Sequence, residues 1–234
     1  MSEVEHNAGG APAAFTDRWL EVAGIRIKYR EGGRGKTVII LHGGDLAQPS
    51  PLETLLSEEF QVLALMISSA DRRAAEQSSH WARELLHALT HAAGVGSSEH
   101  LALVSTGASA PLALRLILEQ AERIEALVLI APPPIFPELC EPMSRSDQNA
   151  ALAERLAEIK APTLVLLGTD DEVIPQETGG MYADRLPRCY YVLVYDAGHS
   201  VETDRPQTLF ATVRDFLEHR ETFVVNRAST VLNP

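Results

Sequence analysis

The sequence predicts an α/β protein built on a mostly parallel, twisted sheet with helices on both faces. Three observations predict it. From Thr37 onward, short apolar runs alternate with segments of helical spacing, the pattern of successive strand–helix–strand units. Runs such as Thr37-Val38-Ile39-Ile40-Leu41 lack polar alternation, as expected of strands covered on both faces. The connections are long enough for right-handed crossovers.

The elements follow in order. Residues 1–15 are rich in Gly, Ala and polar side chains and are expected to form a mobile tail. Alternation on both sides of Ala23-Gly24, within Arg18–Arg30, predicts a hairpin with a two-residue turn. Gly32, Gly33 and Gly35 mark a loop before the 37–41 strand, which runs into His42-Gly43-Gly44. A short helix is expected over 51–56, a buried strand over 60–65, and a helix over 73–94 carrying Trp81, Leu85, Leu86, Leu89 and Ala92 at helical spacing. A strand and its helix occupy 100–121, and Ile124–Ile130 is the next strand. Residues 132–160 contain Pro132, Pro133, Pro134 and Pro137 and then an amphipathic helix near 149–158. They are the candidate lid, and a short one, so the site should be open. Strands at 163–167 and 190–195 and a helix at 205–219 complete a domain spanning 16–220, with 221–234 read as a C-terminal tail. There is no internal repeat and no second domain.

The chain has 234 residues, enough for a sizeable core, and 45% hydrophobic residues, ordinary for a globular protein. A formal charge of −12 argues against nucleic acid or an anionic membrane as partner. The N-terminal residues lack the basic and apolar regions of a signal peptide, and no run approaches a membrane span. Two cysteines, Cys140 and Cys189, make no disulfide framework. A cytoplasmic protein with reduced thiols is the expectation. His87 and His91 are four apart on one helix, but no third ligand is evident, so they are read as helix surface and no metal is expected.

The chain is organised around residues 101–112. Four apolar residues lead into Ser105, Thr106, Gly107, Ala108, Ser109 and Ala110, and Pro111 suits a first helical turn. This strand, tight turn and helix resemble the nucleophile elbow of the α/β-hydrolase superfamily. The resemblance spans about 18–219 and rests on five landmarks in the order that fold requires. These are the hairpin, His42-Gly43-Gly44, the elbow, Gly168-Thr169-Asp170-Asp171-Glu172-Val173-Ile174-Pro175, and Gly198-His199-Ser200.

The resemblance implies roles. Asp171, rather than its neighbour Asp170, matches the acid that orients an imidazole, and His199 matches the general base. Gly43, Gly44 and Ala108 match the turn and elbow whose amides would form an oxyanion hole. The nucleophile position, about 20 residues before Leu127-Val128-Leu129-Ile130, falls on Gly107. The chain reads Ser105-x-Gly107-x-Ser109 where the superfamily reads Gly-x-Ser-x-Gly. That position requires a strained backbone that glycine adopts at little cost, so an elbow can outlast its chemistry. Ser109 is a weaker candidate nucleophile, because its register needs a two-residue deletion and puts Pro111 where a glycine belongs. A second departure is Met66–Ala70, where many relatives carry an Asp- and Gly-containing loop.

Loss of a triad serine costs on the order of 10⁶ in turnover, roughly 8 kcal/mol. Ordinary acyl-enzyme chemistry is therefore not expected. Glycine also occupies this position in the N-myc downstream-regulated proteins, which resemble hydrolases without being thought to hydrolyse. Three readings stay open, none requiring a cofactor. The first is a non-hydrolytic protein that binds a small molecule in the old pocket. The second is an enzyme using the His199/Asp171 dyad without a covalent intermediate, of lyase or cofactor-free oxygenase type. The third is an ester, thioester or amide hydrolase using Ser109 or directly activated water.

Overall fold

A computed structural model describes residues 14–44, 46–71, 73, 80–139, 147–222 and 231–232. Strands β1 (Thr16–Val22) and β2 (Ile25–Gly32) form the expected hairpin, with Val22 opposite Ile25. Its two turn residues, Ala23 and Gly24, have φ of 50° and 79°. Positive φ at both positions is the turn whose twist matches that of the flanking strands.

β2 pairs antiparallel with β4 (Gln61–Met66), and β4 pairs parallel with β3 (Thr37–His42). From there the sheet is parallel through β5 (Leu101–Thr106), β6 (Ile124–Ile130), β7 (Thr163–Gly168) and β8 (Cys189–Val194). The order is β1-β2-β4-β3-β5-β6-β7-β8-β9, where β9 is the two-residue Val231–Leu232. The C-terminal stretch read as a tail therefore adds a strand to the β8 edge at those two residues.

Side chains of successive strand residues alternate between two cores, which explains why the runs lack polar positions. Ile39, Leu41, Leu63, Leu65, Leu103 and Leu129 point to one face. There they meet α2 (Trp81–Ala92) through Trp81, Leu85, Leu86 and Leu89, and α3 (Ala110–Glu119) through Leu112 and Leu116. Val38, Ile40, Val62, Val104, Val128 and Leu166 point to the other face. They are covered by α1 (Pro51–Leu56) through Leu52 and Leu56, and by the C-terminal helix through Leu209, Val213 and Phe216.

Several expected elements shift. The described helix in 73–94 is α2, and residues 74–79 lie outside the described set. The 149–158 helix is α4 (Asp147–Glu154) followed by a separate 3₁₀ turn, Leu156–Glu158. The sequence reading passed over α5 (Glu177–Arg185), whose two adjacent glycines, Gly179 and Gly180, disguise its helical spacing. The closing helix begins with a short turn, α6 (Val201–Asp204), before α7 (Pro206–His219). In the candidate lid, residues 140–146 lie outside the described set, as do residues 1–13 of the N-terminal tail. Phe136 of the lid is fully buried, edge-on to Tyr182 of α5, and the Tyr182 hydroxyl donates to Pro133 O at 3.0 Å.

Candidate functional site

The C-terminal ends of β3, β5, β6, β7 and β8 lie side by side, with Leu41 opposite Ser105, Thr106 opposite Ile130, and Gly168 opposite Val194. Four of the five sequence landmarks, all but the hairpin, follow one of these ends, so the parallel register gathers them at one edge, where open α/β sheets bind ligands. A cavity of about 260 Å³ sits there. It is lined by Gly43, Thr106 to Ala108, Ile130, Ala131 and residues 199–203. No described residue of 132–160 lines it.

β5 ends at Thr106, residues Gly107–Ser109 make a 3₁₀ turn, and α3 starts at Ala110 with Pro111 in its first turn. Gly107 has φ of +53°, and a Cβ built on it meets nothing within 4 Å. The elbow thus has the left-handed conformation that side chains rarely adopt, and it faces open space.

Ser109 is placed differently from a nucleophile. Its Oγ is fully buried, donates within reach of Leu41 O at 2.6 Å and Thr106 O at 2.9 Å, and lies 2.7 Å from Ser105 Oγ. It does not line the cavity. The two serines flanking Gly107 instead tie the elbow to the end of β3, which corrects the reading of Ser109 as a possible attacking group. Nor does Ser109 cap α3, since its side chain makes no capping bond there.

Asp171 and His199 come together as the motif order requires. His199 Nδ1 lies 3.1 Å from Asp171 Oδ2, and the Asp171 carboxylate is fully buried. Its other oxygen, Oδ1, accepts from the amides of Val173 at 2.8 Å and Ile174 at 2.9 Å. The carboxylate is therefore held before it meets the imidazole. With Nδ1 turned to the carboxylate, Nε2 is the nitrogen left to serve the cavity. The neighbouring Asp170 contributes only backbone, donating to Ala197 O at 2.9 Å.

The two loops meet because Gly168 has no side chain. A Cβ there would stand 2.1 Å from Ala197 O and 2.4 Å from Gly198 O. The His199 loop is further fixed by Gly198 N donating to Asp204 Oδ2 at 2.9 Å, and by Arg205, which pairs with Asp196.

Of the three residues assigned to the oxyanion turn, two face the cavity. Gly43 packs on the elbow, where a Cβ would meet Ala108 N at 3.3 Å. Gly44 is exposed and does not line the cavity.

Beneath this turn lies a buried polar group that the sequence reading missed. Glu53 Oε2 receives Arg30 Nη1 at 3.2 Å, and His42 Nε2 stands 2.9 Å from Glu53 Oε1 at ion-pair distance. His42 Nδ1 is 3.4 Å from Thr106 Oγ1, beside the elbow. Glu53 also closes the capping box of α1 with Ser50. Ser50-x-x-Glu53 was visible as such a box, but nothing local paired Glu53 with Arg30, which lies on a different strand. Ala131 is a further cavity residue that no motif flagged, whereas Thr106 stands in the elbow and Glu202 follows the His199 motif, neither with a role assigned from sequence.

His87 and His91 stack on α2, with ring centroids 6.4 Å apart, on its exposed side. Among the described residues, no group of three or more His, Cys, Asp or Glu is placed to hold a metal ion. Among the described residues, no helix is long and apolar enough to cross a membrane.

The chain has the α/β-hydrolase fold. It is similar to the 2-hydroxy-6-oxo-6-(2'-aminophenyl)hexa-2,4-dienoic acid hydrolase of Metapseudomonas resinovorans, with 18% identity over 281 residues covering 94% of this chain and 97% of that one. Among solved structures it resembles a serine hydrolase involved in carbazole degradation, with a TM-score of 0.68, 18% identity, and coverage of 88% of this chain and 99% of that one. It also resembles a carboxylesterase from Bacillus subtilis, with a TM-score of 0.66, 16% identity, and coverage of 87% and 92%. No protein-family model matches the chain. At these identities the likenesses show the fold.

Proposed function

We propose that this is a small-molecule-binding protein built on a hydrolase scaffold, without the covalent route that a serine elbow provides. One observation carries the reading: Gly107 occupies the elbow at φ of +53° with open space where a nucleophile would project. The only nearby hydroxyl that sequence offered as a substitute, on Ser109, is buried and bonded elsewhere. Gly43 and Ala108 meet beside the vacancy, so a ligand carbonyl entering the cavity would meet the turn and elbow backbone. A direct test compares wild type and His199→Ala on short-acyl p-nitrophenyl esters. Equal, background rates are expected. Turnover in the wild type that His199→Ala abolishes overturns the reading.

A second reading is favoured by the Asp171–His199 pair itself. A carboxylate fully buried and held by two amides, set against an imidazole at the cavity, is more than a binding pocket needs. Under this reading His199 takes a proton from the ligand, or from water, with no covalent intermediate, and Asp171 stabilises the imidazolium. If His199→Ala leaves every reaction of the protein unchanged, this reading falls.

A further inference from the structure

We infer that the cavity selects a ligand bearing an ammonium group over one bearing a carboxylate, and that Glu202 makes the selection. The inference rests on the reading that the cavity takes a small molecule, and it names the ligand's charge class.

Glu202 is the one carboxylate, and the one formally charged side chain, among the described cavity-lining residues, which include no Lys or Arg. Its Oε1 accepts from Leu52 N at 3.2 Å, so the side chain is anchored at the mouth of α1. Among the described residues it pairs with no cation. The other carboxylates of the site have partners of their own. Glu53 receives Arg30 Nη1 and lies beside His42, and Asp171 lies against His199. A half-buried carboxylate in the wall of a cavity gains from a cationic partner and repels an anion. The charge of −12 over the chain acts in the same direction, concentrating cations at a concave surface. Thr106, Ser200 and Thr203 line the same space, so its wall is polar without being cationic. Nothing in the lining matches the fixed fork of donors with which an arginine receives a carboxylate.

The test uses three probes with one carbon skeleton: 3,3-dimethylbutylammonium, 3,3-dimethylbutan-1-ol and 3,3-dimethylbutanoate. Each is titrated at pH 7 into ¹⁵N-labelled full-length protein, following the Gly107 and Ala108 amides. The ammonium probe is expected to bind about tenfold tighter than the alcohol, an advantage of roughly 1.4 kcal/mol. The carboxylate probe is expected to bind more weakly than either. Glu202→Gln should bring the ammonium and alcohol probes to within about twofold, and Glu202→Asp should keep part of the preference. Both variants are checked by unchanged thermal unfolding. Binding of all three probes without charge preference, or a preference that survives Glu202→Gln, overturns the inference and leaves the binding reading standing. If no probe perturbs the Gly107 or Ala108 amides at any concentration, both fail.

Discussion

His199 Nδ1 lies 3.1 Å from a carboxylate oxygen of Asp171 that is sealed from solvent. The second oxygen of that carboxylate is held by the amides of Val173 and Ile174. The carboxylate is therefore held by its own loop, and the imidazole is set against that carboxylate.

Replacing Asp171 by alanine leaves two amides without an acceptor. Val173 is exposed and its amide can turn to water, so each lost bond is worth about 0.5–1.5 kcal/mol. Urea unfolding should show a lower midpoint with an unchanged slope, equivalent to a loss of about 1–3 kcal/mol. Asp171→Asn should lose less, because its amide oxygen can still accept from Val173 and Ile174.

Gly168→Ala should be more damaging than any exposed change, since the added methyl carbon collides with Ala197 O at 2.1 Å. The neighbour is backbone of the His199 loop, so relief separates the dyad. A loss above about 3 kcal/mol is expected, within the range reserved for named steric mechanisms. Equilibrium unfolding checks the loss, and the His199 ring resonances check the displacement.

Glu53→Ala removes the centre of the buried Arg30–Glu53–His42 group. Arg30 and Glu53 are almost wholly buried, and the change leaves Arg30 with Asp17 and the Leu46 carbonyl as its remaining partners. Breaking a buried pair outright costs about 3–5 kcal/mol, and the retained Asp17 contact places the expected loss at or below the lower end of that range. Denaturant titration should place Glu53→Ala among the least stable single variants, whereas Arg155→Ala, which breaks an exposed pair with Glu158, should shift stability by less than about 1 kcal/mol.

Cys189 lies on β8, and burial pushes its thiol up to about 12. Because the folded value exceeds the unfolded one of about 8.5, the protonated thiol favours the fold, and that contribution declines as pH rises from about 8.5 toward 12. At pH 8 the native thiol is therefore held in its unreactive protonated form. Alkylation with iodoacetamide at pH 8, followed by peptide mapping, should leave Cys189 unmodified until the protein is unfolded.

Much of this was legible from the chain. The strands were legible because parallel strands buried on both faces must be continuous apolar runs, as Thr37–Leu41 and Thr163–Leu167 are. The nearness of Asp171 to His199 and the tight turn at Gly107 were legible because parallel topology brings the parallel strands' C-terminal ends to one edge, so order along the chain becomes adjacency in space. Residues whose role depends on distant partners were not legible. Glu53 reads as a local cap, and its contact with Arg30 spans 23 positions. Ser109 looks like a displaced nucleophile until its bond to Leu41 O, 68 positions away, is seen. Glu202 falls in the matched His199 loop, but nothing in the chain placed its carboxylate against Leu52 N, 150 positions away. Helix α5 escaped notice because Gly179 and Gly180 interrupt its pattern; Gly179 is demanded by the ring of Tyr191, which a Cβ would meet at 2.1 Å.

The central claim is that the elbow at position 107 is assembled for attack and lacks only its hydroxyl. A fluorophosphonate probe tests it on wild type and Gly107→Ser side by side, with intact-protein mass spectrometry and peptide mapping. The open space at Gly107 predicts that the variant folds, at a strain of about 1–3 kcal/mol for a side chain in that backbone conformation. The account predicts no phosphonylated serine in the wild type, and a single adduct at position 107 in the variant that His199→Ala suppresses. An adduct on any serine of the wild type, or a folded variant that stays unlabelled, contradicts it.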